Sequence, residues 1–251
     1  MAERNFFLIT CEHGGNRVPL PYLDLFRGQD AVLWSHRGFD AGALQMAREL
    51  AAALGAPLLA STVTRLLIDL NRSQGHPRLY SEMTRNAPPA LRGQILEDHY
   101  LPYREEAAAA IERAIATGAR VIHISSHSFT PELDGTPRNA DVGLLYDPAR
   151  PGEVELSRRW REAIRHASPA LKVRMNYPYA GTADGMTTAL RRRFPAGRYV
   201  GLELEINQKH ALAPAAEWRR LRQAVIGGLL EAAGRAGRTA ARSSQQVAGR
   251  R

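Results

Sequence analysis

Short apolar runs rich in β-branched and aromatic residues alternate with longer stretches of helical periodicity, and this alternation limits the fold more than any other feature of the chain. Asn5–Ile9, Pro57–Ser61, Arg65–Leu70, Arg120–Ser126, Val142–Tyr146, Leu171–Met175 and Tyr199–Ile206 each have the length and composition of a buried strand. Between them, Asp40 opens a helix with Leu44, Ala47, Ala51 and Leu54 on one stripe and Gly55 as its stop. Leu91–Thr117 reads as a helix interrupted near Pro102, and Gly152–His166, Ala183–Arg193 and Pro214–Ala233 as three more. Strands that alternate with helices predict an α/β layered fold with a largely parallel sheet. The 251 residues suffice for one sizeable core, so a single domain is expected over 1–233. From Gly234 onward the chain is Gly, Ala, Arg, Ser and Gln without apolar periodicity, which predicts a disordered basic tail over 234–251.

In open sheets of this kind ligands gather at the carboxyl edge of the strands. The first strand runs into Cys11, Glu12 and His13 and then into Gly14, Gly15, Asn16 and Pro19, which break it and let the backbone bend sharply. His127 follows the Arg120–Ser126 strand, and Asp40 lies beyond the first loop. Two neutral imidazoles and a carboxylate are the ligand set of many catalytic zinc sites, which leave the fourth position to water. Each histidine alone reads more simply as a hydrogen-bonded loop residue. That His13, Asp40 and His127 all fall beside expected strand ends favours a metal site, with His36 the second choice for the third ligand. Glu203 and Glu205 are two apart on one strand and so share a face, where one of them beside a metal would serve as general base. The other is expected to pair structurally.

Arg65, Asn71 and Arg72 form a polar block that could hold a carboxylate; the plainer alternative makes the arginines salt-bridge partners of Asp69 or the glutamates. The formal charge of +9 suggests an anionic partner, but nearly all the basic residues are arginine, and no basic and aromatic interleaving or binding motif accompanies them. A specific nucleic-acid partner is therefore not expected, although a metal-free basic nucleic-acid-binding protein is the rival from a different class. One cysteine excludes an internal disulfide framework and suits a reducing compartment. No apolar run approaches a membrane span, so no membrane partner and a cytoplasmic location are expected.

Cys11–Pro19, Arg65–Arg72, Ser126–Pro131 and Leu204–Asn207 together resemble the signature blocks of the N-formylglutamate amidohydrolase family, in the family's order and spanning roughly residues 6 to 210. The family is related in fold to zinc carboxypeptidases, and the resemblance implies a three-layer fold whose mixed sheet carries helices on both faces. It also implies a divalent ion, with zinc the expected one, held by His13, Asp40 and His127. Glu205 falls at the position of the general base. Arg65, Asn71 and Arg72 match the block that holds the substrate carboxylate, with Arg72 also polarising the scissile carbonyl. The implied partner is a small N-acyl amino acid, N-formyl-L-glutamate by default. A peptidase-like enzyme acting on γ-glutamyl or cell-wall peptides is the rival within the same chemistry. One departure bears on specificity. Relatives carry a Gly-Gly-aromatic run after the Pro-Tyr pair, whereas Pro178–Gly185 here reads Pro-Tyr-Ala-Gly-Thr-Ala-Asp-Gly. That loop is expected to touch substrate through Tyr179 and Gly181.

Overall fold

The computed structural model describes residues 4–234; the tail expected over 234–251 lies, apart from Gly234, outside them. Six strands form the main sheet: β1 (Asn5–Cys11), β2 (Leu58–Ala60), β3 (Arg120–Phe129), β6 (Val142–Leu145), β7 (Val173–Met175) and β8 (Tyr199–Asn207). Their order is β2-β1-β3-β8-β6-β7. β2, β1, β3 and β8 run parallel, while β6 pairs antiparallel with β8 and parallel with β7, so the sheet is mixed. The small hairpin of β4 (Glu132–Leu133) and β5 (Thr136–Pro137) stands apart from it.

Strand alternation sorts each strand's side chains into two faces, and each face packs its own helices. Ile9, Cys11, Ile124, Leu202 and Leu204 meet α2 (Ala43–Leu54), α5 (Pro151–Ala167) and α8 (Ala215–Ala232) through Leu50, Trp160 and Leu221. On the opposite face Leu8, Val121 and Tyr199 meet α4 (Leu101–Ala116) and α6 (Met186–Arg193) through Ile111 and Leu190. Two short helices, α1 (Asp30–Leu33) and α7 (Gln208–Ala211), and α3 (Pro89–Ile95) lie in the connections. This is the α/β layering that strand and helix alternation predicts, in the three-layer form with a mixed sheet that the family resemblance implies.

Gly55 caps α2 in the left-handed conformation (φ 59°), as its position predicts. The interruption expected near Pro102 is a π-helical turn, Leu96–Tyr100, between α3 and α4. One expectation fails. Arg65–Leu70 is not a strand but a series of turns, although Leu66, Leu67, Ile68 and Leu70 are all buried. A short apolar run reports burial and not backbone shape. Here the Leu67 amide bonds to the Thr64 carbonyl and the Asp69 amide to that of Leu79, so the segment folds over the sheet's edge without joining it. β3 also runs three residues further than expected, which places His127 within the strand rather than after it.

Candidate metal centre

The polar residues of the sheet's second face converge at its carboxyl edge. His13 follows the end of β1, and its carbonyl accepts the Asp40 amide at 2.9 Å, which brings the loop before α2 back over the strand. Asp40 Oδ2 then lies 3.4 Å from His13 Nδ1 and 2.9 Å from His127 Nδ1. One donor atom from each of the three residues lies within 4.8 Å of the others, and all three side chains are buried. His36 is exposed and outside this group.

What holds the two rings is as informative as where they meet. His13 Nε2 lies 2.8 Å from Asp69 Oδ1, and His127 Nε2 lies 3.1 Å from Glu12 Oε2 and 2.8 Å from Ser125 Oγ. A carboxylate on the outer nitrogen fixes a ring's tautomer and orientation and leaves Nδ1 facing inward as a lone-pair donor. Both imidazoles show this arrangement. Glu12 is itself satisfied, accepting from Ser125 Oγ at 2.6 Å and Tyr103 Oη at 3.2 Å. Asp69 also accepts from Arg65, through Nε at 3.2 Å and Nη2 at 2.7 Å, while Arg65 Nη1 reaches Asp40 Oδ1 at 3.3 Å. Glu12 and Asp69 are the residues against the two imidazoles that sequence reasoning did not place in the candidate site.

The charge balance suits a dication. Glu12, Asp40, Asp69 and Glu205 are buried together, with Arg65 as the fixed cation among them. Burial disfavours a charged Asp40, but His13, His127 and Arg65 outweigh it and hold the carboxyl far below its ordinary range. Burial also disfavours an imidazolium at His127, yet the Asp40 and Glu12 carboxylates raise its pKa well above the ordinary histidine value. The field that favours a proton on Nδ1 favours a metal ion there as well. The two imidazoles and one carboxylate are also a donor set suited to zinc.

Glu205 stands beside this group. It pairs in register with His127 across β3 and β8, on strands about 4.8 Å apart. Its side chain is buried and Oε2 has no hydrogen-bond partner among the described residues. Burial, with Asp40 and Glu203 adding to it, pushes its pKa up to about 8. An unpartnered buried carboxylate oxygen is costly to keep, and catalytic sites are where such groups collect. Glu203, two residues earlier, instead accepts a 2.6 Å hydrogen bond from Thr187 Oγ1.

The remaining expected site residues divide. Asn71 belongs here: its Nδ2 is 3.4 Å from His127 Nε2, and its Oδ1 accepts from the Met186 amide at 2.6 Å. Arg72 sits at the same turn with Nη1 donating to the Asp184 carbonyl at 2.8 Å. Arg65 is paired with Asp69 and Asp40, the salt-bridge alternative, and so contacts both the partner of His13 and the candidate donor Asp40. Tyr179 is half-exposed, within electrostatic reach of Arg65. Gly181 is buried, and a Cβ there would stand 2.2 Å from the Tyr146 amide nitrogen, so close packing accounts for a glycine at this position.

The Asp69 contact yields a test. Asp69→Asn keeps the shape but weakens the hold on both His13 and Arg65. Metal affinity is expected to fall about 10–100-fold, the usual cost of losing an outer-shell carboxylate. Titration of the metal-stripped variant with zinc measures it, and unchanged affinity would remove Asp69 from the site.

A family model described as N-formylglutamate amidohydrolase matches residues 6–212. Among solved structures, a gene product of Agrobacterium tumefaciens is 27% identical with a TM-score of 0.76, over 93% of this chain and 92% of that one. N-formylglutamate amidohydrolase from Ralstonia eutropha JMP134 is 21% identical with a TM-score of 0.64, over 93% and 94% respectively, and shares the fold. No curated protein matches the chain. Among the described residues no helix is long and apolar enough to cross a membrane.

Proposed function

The chain belongs to the N-formylglutamate amidohydrolase family, and on that premise we propose that it hydrolyses the amide bond of a small N-acyl amino acid, with N-formyl-L-glutamate the first substrate to test. The observation that carries this reading is the unpartnered Glu205 carboxylate beside the His13, Asp40 and His127 donors.

When bound by these three residues, a divalent ion, zinc by the donor set, supplies Lewis-acid polarisation of the carbonyl and lowers the pKa of water. The chain's own residues do the rest. Glu205 Oε2 takes the proton from the attacking water and returns it to the leaving amine nitrogen. Asp69 and Glu12 keep His13 and His127 oriented with Nδ1 inward. Asn71 Nδ2 and the Arg72 guanidinium, both at the turn pinned by Met186 and Asp184, are assigned to the carbonyl oxygen as it gains charge. Arg65 is assigned to positioning, because Asp69 and Asp40 engage its donors.

A panel of N-formyl, N-acetyl and longer N-acyl amino acids, assayed with zinc, cobalt and manganese, tests the reading. Stoichiometric release of acid and amine from N-formyl-L-glutamate is expected. If no member of the panel is cleaved with any metal, the proposed substrate class is wrong.

A further inference from the structure

An N-acyl amino acid presents a free carboxylate, and the arginines that the sequence offers for it are occupied elsewhere: Arg65 by Asp69 and Asp40, Arg72 in part by the Asp184 carbonyl. A different arginine stands by the carboxyl ends of β3 and β8, beside Phe129 and Asn207. Arg138 follows the β4–β5 hairpin, and its side chain lies among aromatic rings. Its Cζ is 5.1 Å from the Tyr179 ring centroid and 6.0 Å from that of Phe129, and Nη1 donates to Tyr179 Oη at 3.1 Å. Among the described residues no carboxylate is one of its partners.

The backbone beneath it is pinned on several sides. Asn207 Nδ2 donates to the carbonyls of Arg138 (3.3 Å) and Ala140 (2.9 Å). The Asn139 amide donates to Tyr177 Oη at 2.9 Å, and the Arg138 amide to the Pro131 carbonyl at 2.7 Å. These ties fix the backbone from which the Arg138 side chain projects.

Three of these holders, Phe129, Asn207 and Tyr179, trace back to the candidate metal group. Phe129 lies two residues beyond His127 on β3, and Asn207 two beyond Glu205 on β8, with Phe129 and Asn207 themselves paired in register. Residues two apart on a strand share a face and are separated by about 6.5 Å. Tyr179 lies within electrostatic reach of Arg65, which contacts Asp40. The residues that hold Arg138 therefore include the Phe129–Asn207 pair, one pair outward on its face from the row with His127 and Glu205. A small substrate reaching from the scissile bond to its own carboxylate spans a distance of that order.

We propose that Arg138 is the specificity-determining residue that binds the substrate's carboxylate, its plane set by Phe129 and Tyr179 and its remaining donors turned to the ligand. The choice of ligand rests on the hydrolase reading above; the anion site itself does not. A planar fork stacked on aromatic faces is suited to a carboxylate, and lysine is a poor replacement for it.

Calorimetric titration of glutarate and of its uncharged diamide into the zinc-loaded protein tests this without turnover. Parent protein is expected to bind glutarate and discriminate against the diamide. Arg138→Met is expected to weaken glutarate at least about tenfold, as loss of a charge-assisted contact does, with Arg138→Lys intermediate. Tyr179→Phe should weaken it less, since the ring remains and only the orienting hydroxyl is lost. Far-ultraviolet dichroism and melting temperature confirm that each variant is folded. With N-formyl-L-glutamate the Arg138→Met change should appear in KM and not in kcat. Equal glutarate affinity in parent and Arg138→Met, or no preference for glutarate over the diamide, overturns the assignment. Cleavage of N-formyl-L-glutamate with an unchanged KM in Arg138→Met also overturns it and leaves the hydrolase reading intact. Arg138-dependent glutarate binding in a protein that cleaves no N-acyl amino acid would sink the hydrolase reading instead and uphold the anion site.

Discussion

Replacing Glu205 by Gln is expected to lower kcat by about 10²–10⁴-fold, the usual contribution of a positioned general base, while metal content and KM stay near those of the parent. Glutamine keeps the shape of the side chain, and among the described residues Oε2 has no hydrogen-bond partner for the change to disrupt. The same variant carries a stability signature whose sign follows from the raised pKa. Burial holds the folded-state value at about 8, against an ordinary value of 4.5. Between those two values the folded state keeps a proton that the unfolded chain releases. Glu205's contribution to the stability of the metal-free parent is therefore fully present below the unfolded value and is lost as pH rises through the window. Glutamine does not titrate, so metal-free Glu205→Gln should melt near the parent at pH 4 and above it at pH 9. A melting difference that does not change with pH would mean the carboxyl is not held protonated. Should Glu203→Gln lose turnover while Glu205→Gln keeps it, the base is Glu203, despite its hydrogen bond from Thr187.

The parts of this molecule that were legible in the sequence are those where one physical signal dominates. Apolar runs of strand length located the main sheet, and Gly55, left-handed after α2, ended its helix where expected. The spacing of Glu203 and Glu205 put both on one face, although only the structure separates the bonded carboxylate from the unbonded one. Arg65–Leu70 misled because three buried apolar residues in a row, with Leu70 just beyond them, look alike in a strand and in a turn packed over a sheet. The metal residues could be assembled because each lies near a strand end or a loop that the sheet edge collects. Glu12 and Asp69 were harder to assign. Both stood inside the motifs, at the end of β1 and in the Arg65–Arg72 block, but nothing local says that one will reach His127 and the other His13. Those contacts join residues 115 and 56 positions apart in the chain, and only the tertiary arrangement creates them. Arg65 shows the same limit: an arginine beside an aspartate reads equally well as a substrate clamp or an ion pair until Asp69 and Asp40 are seen on its donors.

His127→Ala is expected to abolish activity and to lower metal affinity by more than the about 10–100-fold that loss of an outer carboxylate costs, because it removes a donor itself. The parent should bind about one divalent ion per chain, as the single three-residue donor set implies. Two effects of this substitution must be separated. His127 lies between Asp40 and Glu12, at 2.9 Å from one and 3.1 Å from the other, so its removal leaves two buried carboxylates short of a partner. Breaking a buried charge pair from one side typically costs about 3–5 kcal/mol, and part of any metal loss in an unfolded variant would be trivial. Chelation distinguishes the two. An ion that binds only the folded chain raises its melting temperature by mass action, so the parent should melt lower after chelation and recover when zinc is returned. His127→Ala should start from a lower melting temperature and show no further response to chelator or zinc. Asp69→Asn, with all three donors intact, should still respond but need more zinc to do so. A folded His127→Ala protein that keeps full metal stoichiometry and the parent's response to chelation would place the ion elsewhere, and with it the reason for the unpartnered carboxylate at Glu205.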